Sequence, residues 1–288
     1  MSDRARAATW MLGAVACFST MAIAGREVSF ALDTFEIMLY RSIVGLCVVV
    51  IAAAISGRLS DVTARRLDLH LIRSVAHFTG QNLWFFAVAT IPLAQVFSLE
   101  FLTPIWALLL APLVLGEAIH RRGLIAAALG FAGIVVIARP GTAALSPGLL
   151  AAAFCGIGFA LSALFTRKLT RHTGITDILF WMTLTQIGFA LLCAGIDGDI
   201  ARPDSATAPW LLIIAFAALG AHFCLTTALS LAPAATIMPI DYLRLPLIAI
   251  VASLLYAEAL DPMVFAGGAL IVIGNLINLR DRSNLRGA

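Results

Sequence analysis

Charge is what this sequence has least of. Only 12% of its 288 residues are Asp, Glu, Lys or Arg, against about 25% in soluble globular domains. So few charged groups cannot cover a water-facing surface, which excludes an ordinary soluble domain. Long polar stretches are also missing, so there is no room for an extramembrane catalytic module. No basic run is interleaved with aromatic residues, and the formal net charge is only +3, which excludes a nucleic-acid partner. The cysteines (Cys17, Cys47, Cys155, Cys193 and Cys224) are odd in number, lie in apolar runs and form no C-x-x-C pair. They read as small buried hydrophobes, not as disulfide partners or metal ligands. No H-E-x-x-H or G-x-S-x-G motif occurs. Neither metal site nor cofactor is expected.

What is present is apolar: 61% of the residues are hydrophobic and the mean hydropathy is +0.99. Ten apolar segments fall at 8–25, 35–56, 70–91, 93–115, 122–139, 147–166, 175–195, 208–231, 234–257 and 262–279. Each is about long enough for a helix to cross a hydrocarbon layer of about 30 Å. Backbone groups in lipid must be satisfied locally, so helices are expected. The sequence predicts an all-α membrane protein with ten transmembrane helices in a lipid bilayer.

Arg4 and Arg6 precede an apolar stretch ending in Ala22-Ile23-Ala24, which has the look of a signal-peptidase site. The stretch has a counterpart later in the chain, so the first helix is expected to be retained. If the N-terminus is cytoplasmic, 13 Lys and Arg fall on the cytoplasmic side and 3 on the other. That bias predicts an even number of spans with both termini in the cytoplasm.

The two halves match at an offset of 141 residues. Arg26 meets Arg167, Glu36 meets Asp177, and Tyr40 meets Trp181. Pro92 meets Pro233, Glu100 meets Asp241, and Glu117 meets Glu258. Acids, prolines and arginines coincide too often for composition to explain. Residues 1–141 and 142–288 are therefore expected to be two five-helix repeats. Five is odd, so the second repeat is inverted, an architecture associated with alternating access around a midplane site.

Polar residues inside spans are costly and tend to face a cavity or a partner. In the third span His70, Arg73, His77, Gln81 and Trp84 recur every three or four residues, along one helical face. His77, Gln81, Trp84, Ser98, Phe159, His222 and Tyr242 are the expected cavity residues. Arg41, Glu100, Arg73, Asp241 and Arg244 are the expected gates or charge pairs. At 1.5 Å per residue, Glu100 and Arg41 fall in one layer, and Asp241 with Arg244 and Arg73 in another. Glu117 and Glu258 sit at helix ends, where each needs a basic partner against the macrodipole; His120, Arg121 and Arg122 adjoin Glu117. Pro104, Pro239 and Pro246 are expected hinges.

The fourth span reads Leu102-Thr103-Pro104 through Leu115-Gly116-Glu117, and the ninth Arg244-Leu245-Pro246 through Tyr256-Ala257-Glu258. Proline, an apolar helix, then a small residue and Glu, twice, resembles the EamA-type modules of the drug/metabolite transporter superfamily. The resemblance covers the chain as two modules. It implies a multi-pass carrier of the bacterial inner membrane that exports small metabolites. Amino acids are the expected substrate, as in exporters of the YddG type, which handle aromatic amino acids. Those exporters line the cavity with aromatic residues on the third and fourth spans, where this chain has His77 and Gln81. An acid tied to an arginine is a poor proton carrier, so the export is expected to be uncoupled. Proton-coupled export of drugs or other metabolites is the alternative, and an intramembrane enzyme a remote one. A monomer is consistent with the sequence.

Overall fold

The computed structural model describes residues 3–119, 121–139, 145–196, 199–232 and 234–286. His120, Pro233 and the expected boundary between residues 141 and 142 lie outside the described residues. Helices account for nearly all of the described secondary structure: α1 (Asp3–Val28), α2 (Thr34–Ile55), α3 (Leu67–Thr90), α4 (Leu93–Glu100), α5 (Thr103–Leu115), α6 (Arg121–Ala138), α7 (Pro147–Leu169), α8 (Ile175–Ala194), α9 (Ala208–Leu231), α10 (Ala234–Asp241), α11 (Arg244–Tyr256) and α12 (Pro262–Arg286).

Local chemistry sets the helix ends. Asp33 and Glu36 form a reciprocal capping box at the start of α2: the Glu36 N–H donates to Asp33 Oδ1 at 2.8 Å and the Asp33 N–H to Glu36 Oε2 at 2.9 Å. Ser146 caps α7 ahead of Pro147. Pro92 forces Ile91 into extended backbone and so ends α3.

The fourth apolar segment is not one helix but two. Pro104 has no N–H to give to the Glu100 carbonyl, and the Thr103 hydroxyl donates to that carbonyl instead, at 2.7 Å. The chain breaks between α4 and α5 at Phe101-Leu102. The ninth segment breaks likewise at Tyr242-Leu243, ahead of Pro246. Pro239 lies in the last turn of α10, where its carbonyl accepts from the Tyr242 N–H at 3.3 Å.

Among the described residues eight stretches are long and apolar enough to cross a membrane, the α4–α5 pair counting as one and Met238–Tyr256 as another. The sequence predicts ten. Of the two remaining helices, α3 has its hydropathy lowered by the polar stripe that begins at Asp68 and His70, and α12 has a described apolar stretch over Pro262–Asn278. Large apolar side chains such as Ile55, Leu113, Leu192 and Leu254 are exposed, as lipid contact requires.

Helices pair as α1 with α9, α3 with α7, α2 with α8, and α6 with α12, while α4 packs on both α7 and α11. The α3–α7 pair is close because of Gly158. A Cβ there would lie 2.7 Å from the Ala76 carbonyl oxygen and from the Gly80 backbone. Trp84, Phe85, Phe97, Leu102 and Ile105 are among the largest fully buried side chains and belong to one apolar cluster.

Candidate functional site

The five polar residues of α3 do share a buried face, and their partners come from different helices. His70 Nε2 lies 3.4 Å from Asp177 Oδ2 of α8. Arg73 Nε donates to Thr166 Oγ1 of α7 at 3.0 Å, and that hydroxyl in turn donates to the Ser162 carbonyl at 2.7 Å. Gln81 Oε1 accepts from Arg41 Nη1 of α2 at 2.7 Å. The His77 ring centroid is 6.1 Å from that of Phe159. On α9, His222 meets Phe18 edge to face at 5.9 Å. His77 and His222 each lie within electrostatic reach of both Arg41 and Arg73. Residues from α2, α3, α7 and α9 thus converge on one basic cluster, bordered by Phe18 and Phe159.

A second cluster sits where the two broken helices meet. Arg244 Nη1 donates to Glu100 Oε1 at 3.0 Å and Arg244 Nη2 to Asp241 Oδ2 at 2.7 Å. Glu100 Oε2 accepts from Trp84 Nε1 at 2.8 Å. The Arg244 guanidinium lies 4.9, 5.4 and 5.2 Å from the ring centroids of Phe18, Phe97 and Phe101, within cation–π range.

This arrangement corrects two expectations. Glu100 does not pair with Arg41, and Glu100 and Asp241 do not occupy separate layers: they share Arg244. Counting depth at a constant rise fails here because both segments are broken, which brings the ends of α4 and α10 to one place. Arg41 and Arg73 are left with neutral partners. Trp84 is a core residue that positions Glu100, not an open cavity wall. Ser98 is fully buried and faces Gly268 of α12. Tyr242 stacks edge to face on Phe101 at 5.0 Å. Phe97 and Phe101 were missed by sequence reasoning; their i, i+4 spacing, which puts both rings on one face, was the available signal.

Ion pairs tie both ends of the bundle. Arg26, at the end of α1, donates to the Val88 and Ile91 carbonyls at the end of α3. It pairs with Glu258 at 3.1 Å, and Glu258 Oε2 accepts from the Leu93 N–H at 2.8 Å, capping α4. Tyr256 donates to Glu27 at 2.8 Å. At the opposite end Arg167 pairs with Glu117 at 2.7 Å and is more exposed. One partner of Glu117 therefore lies 50 residues away in sequence.

The contacts repeat in reciprocal form. Arg26–Glu258 and Arg167–Glu117 exchange members under the offset of 141. The Glu36 carboxylate accepts from the Ala201 N–H at 2.5 Å and its counterpart Asp177 from the Thr63 N–H at 2.9 Å. Tyr40 donates to the Ala201 carbonyl at 2.8 Å, and its counterpart Trp181 to the Thr63 carbonyl at 2.7 Å.

The sequence matches the EamA-like transporter family over residues 5–139 and again over 146–280. The chain belongs to the EamA-like transporter family. It is a multi-pass membrane transporter of the drug/metabolite superfamily. Among the relatives of this EamA-like chain, a riboflavin transporter of Brucella anthropi is 32% identical, over 75% of the chain and 77% of the relative. A riboflavin transporter of Rhizobium johnstonii is 30% identical, over 74% and 70% respectively. An S-adenosylmethionine uptake transporter of Rickettsia prowazekii is 23% identical, over 93% and 90%. A solved structure described only as the crystal structure of a protein matches with a TM-score of 0.67 at 19% identity, covering 98% of this chain and 99% of the other, a likeness of fold. None of these names is that of an amino-acid exporter.

Proposed function

We propose that this chain takes up a heterocyclic metabolite of the riboflavin or S-adenosylmethionine kind, by alternating access between two inverted five-helix halves. The halves are residues 1–141 and 142–288. In this reading α3 and α12 also span the bilayer. They bring the count to ten and leave both termini in the cytoplasm of a bacterial inner membrane, in keeping with the Lys/Arg bias. The substrate class and the inward direction rest on the names of the relatives.

The observation that carries the alternating-access reading is the reciprocal pair Arg26–Glu258 and Arg167–Glu117. Each pair joins the two halves, one at each end of the bundle. Breaking one at a time would open one side and then the other. The breaks at Phe101-Leu102 and Tyr242-Leu243 add support, since discontinuous helices mark the binding region of many carriers. Pro104 and Pro246 then act as hinges at those breaks, while Pro239 bends α10. Phe18, Phe159, His77, Gln81, His222 and Tyr242 supply stacking and hydrogen bonds to a planar ring.

The carrier is uncoupled. Glu100 and Asp241 are both held by Arg244, and Glu36 and Asp177 each accept from a backbone N–H. Counterflow in proteoliposomes tests the reading. Labelled riboflavin or S-adenosylmethionine should accumulate against unlabelled internal substrate, with and without a pH gradient. Absence of exchange for both would refute the substrate class, and exchange only with the gradient would refute uncoupled transport.

A further inference from the structure

Among the described residues the spans hold three buried arginines, Arg41, Arg73 and Arg244, and of these Arg244 alone is matched with acid. Arg41 and Arg73, 7% and 8% exposed, make no ion pair among the described residues. Gln81 satisfies one N–H of Arg41, and Thr166 one of Arg73. Arg73 Nη1 and His77 Nε2 are buried with no hydrogen-bond partner. A guanidinium carries five N–H donors, and a buried charge without a counter-charge is unfavourable. The acids that could relieve it are held elsewhere: Glu100 and Asp241 by Arg244, and Asp177 beside His70 with the Thr63 N–H.

We infer that the cluster of Arg41, Arg73, His77 and His222 binds an anionic oxygen group, a phosphate or a carboxylate, carried by the transported metabolite. Gln81 and Thr166 are positioning residues that aim the two guanidinium groups. Arginine suits this task because its planar fork meets two oxygens at once. Phe159 and Phe18 border the cluster, so a ring attached to the anionic group would rest against them. The inference rests on the heterocyclic reading only for that ring. The anionic group follows from the unmatched arginines alone. It divides the substrates named for the relatives, since riboflavin has no anionic group at neutral pH and S-adenosylmethionine carries a carboxylate.

The test compares matched ligands on the purified full chain by quenching of tryptophan fluorescence. One pair is riboflavin and riboflavin 5′-phosphate; the other is decarboxylated S-adenosylmethionine and S-adenosylmethionine. Inorganic phosphate and acetate form a third arm, read by thermal stabilisation. The charged member of at least one pair should bind at least tenfold more tightly, and the pair that responds tells phosphate from carboxylate. Arg41→Gln and Arg73→Gln should abolish the preference, and Arg41→Lys and Arg73→Lys should keep part of it. Equal binding within both pairs, or a preference that survives both Gln variants, would overturn the inference. If neither pair binds but phosphate or acetate stabilises the parent and not the Gln variants, the anion site stands and the heterocyclic reading fails. If no anion binds in any arm, the site is refuted.

Discussion

Replacing Arg244 by Gln should destabilise the protein more than replacing any other single charged residue. The guanidinium is 6% exposed and serves Glu100 and Asp241 while resting among Phe18, Phe97 and Phe101. Removing it leaves two carboxylates in a low-dielectric interior with no cation. Breaking a buried ion pair by deleting one partner costs about 3–5 kcal/mol, and the lost aromatic contacts add about 0.5–2 kcal/mol. At roughly 2–4 °C per kcal/mol for a chain of this size, the apparent unfolding temperature should fall by about 15 °C. Arg167→Gln is the control, because its pair with Glu117 is 41% and 37% exposed and such pairs contribute about 0–1 kcal/mol. Differential scanning fluorimetry in detergent reads both. A further variant joining Arg244→Met with Glu100→Gln and Asp241→Asn removes the charges together and should recover most of the loss. A fall of under 2 °C for Arg244→Gln, or no recovery in the triple variant, would refute the reasoning.

Other consequences follow from the packing. Trp84→Phe withdraws the indole N–H from Glu100 and leaves a small void at a buried site, so stability should drop by at least about 1.5–3 kcal/mol, read from the same melting curves. Gly158→Val places side-chain carbons against the Ala76 carbonyl and the Gly80 backbone; overpacking of about 1–3 kcal/mol or more should cut the yield of monodisperse protein in size-exclusion chromatography. Gly57→Ala, at a positive-φ position with open space around it, strains only the backbone, and its cost should stay near 1 kcal/mol. The pair swap Arg26→Glu with Glu258→Arg should regain transport that either single change loses, though the Leu93 cap from Glu258 should keep the recovery partial.

Much of this fold is legible in the sequence, and the reason is periodicity. Apolar runs of span length mark the helices, and the spacing of His70, Arg73, His77 and Gln81 marks a buried face of α3. The offset of 141 also foreshadows reciprocal contacts such as Tyr40 with Ala201 and Trp181 with Thr63. Partner identity is less legible. A linear sequence gives depth only if the helix is continuous, and the prolines at 104 and 246 break that assumption. Arg244 consequently drew both acids to itself, and Arg41 took Gln81. Trp84 and Ser98 illustrate a second limit. A polar or amphipathic residue on a helix reads the same whether it faces a cavity or a neighbouring helix, and only the packing of α4 against α12 places Ser98 at Gly268. Substrate is least legible, since the helix-end pattern that identifies the family lies at the ends of the bundle, away from the basic cluster.

The central claim is that the two ends open in turn. It is tested most directly by joining each end covalently in a background where the five native cysteines are replaced. Arg26→Cys with Glu258→Cys would fasten one end, and Glu117→Cys with Arg167→Cys the other, through a short bifunctional thiol reagent with a reducible link. Counterflow in proteoliposomes should stop when either end is joined and return on reduction. Undiminished exchange with either end joined would contradict alternating access.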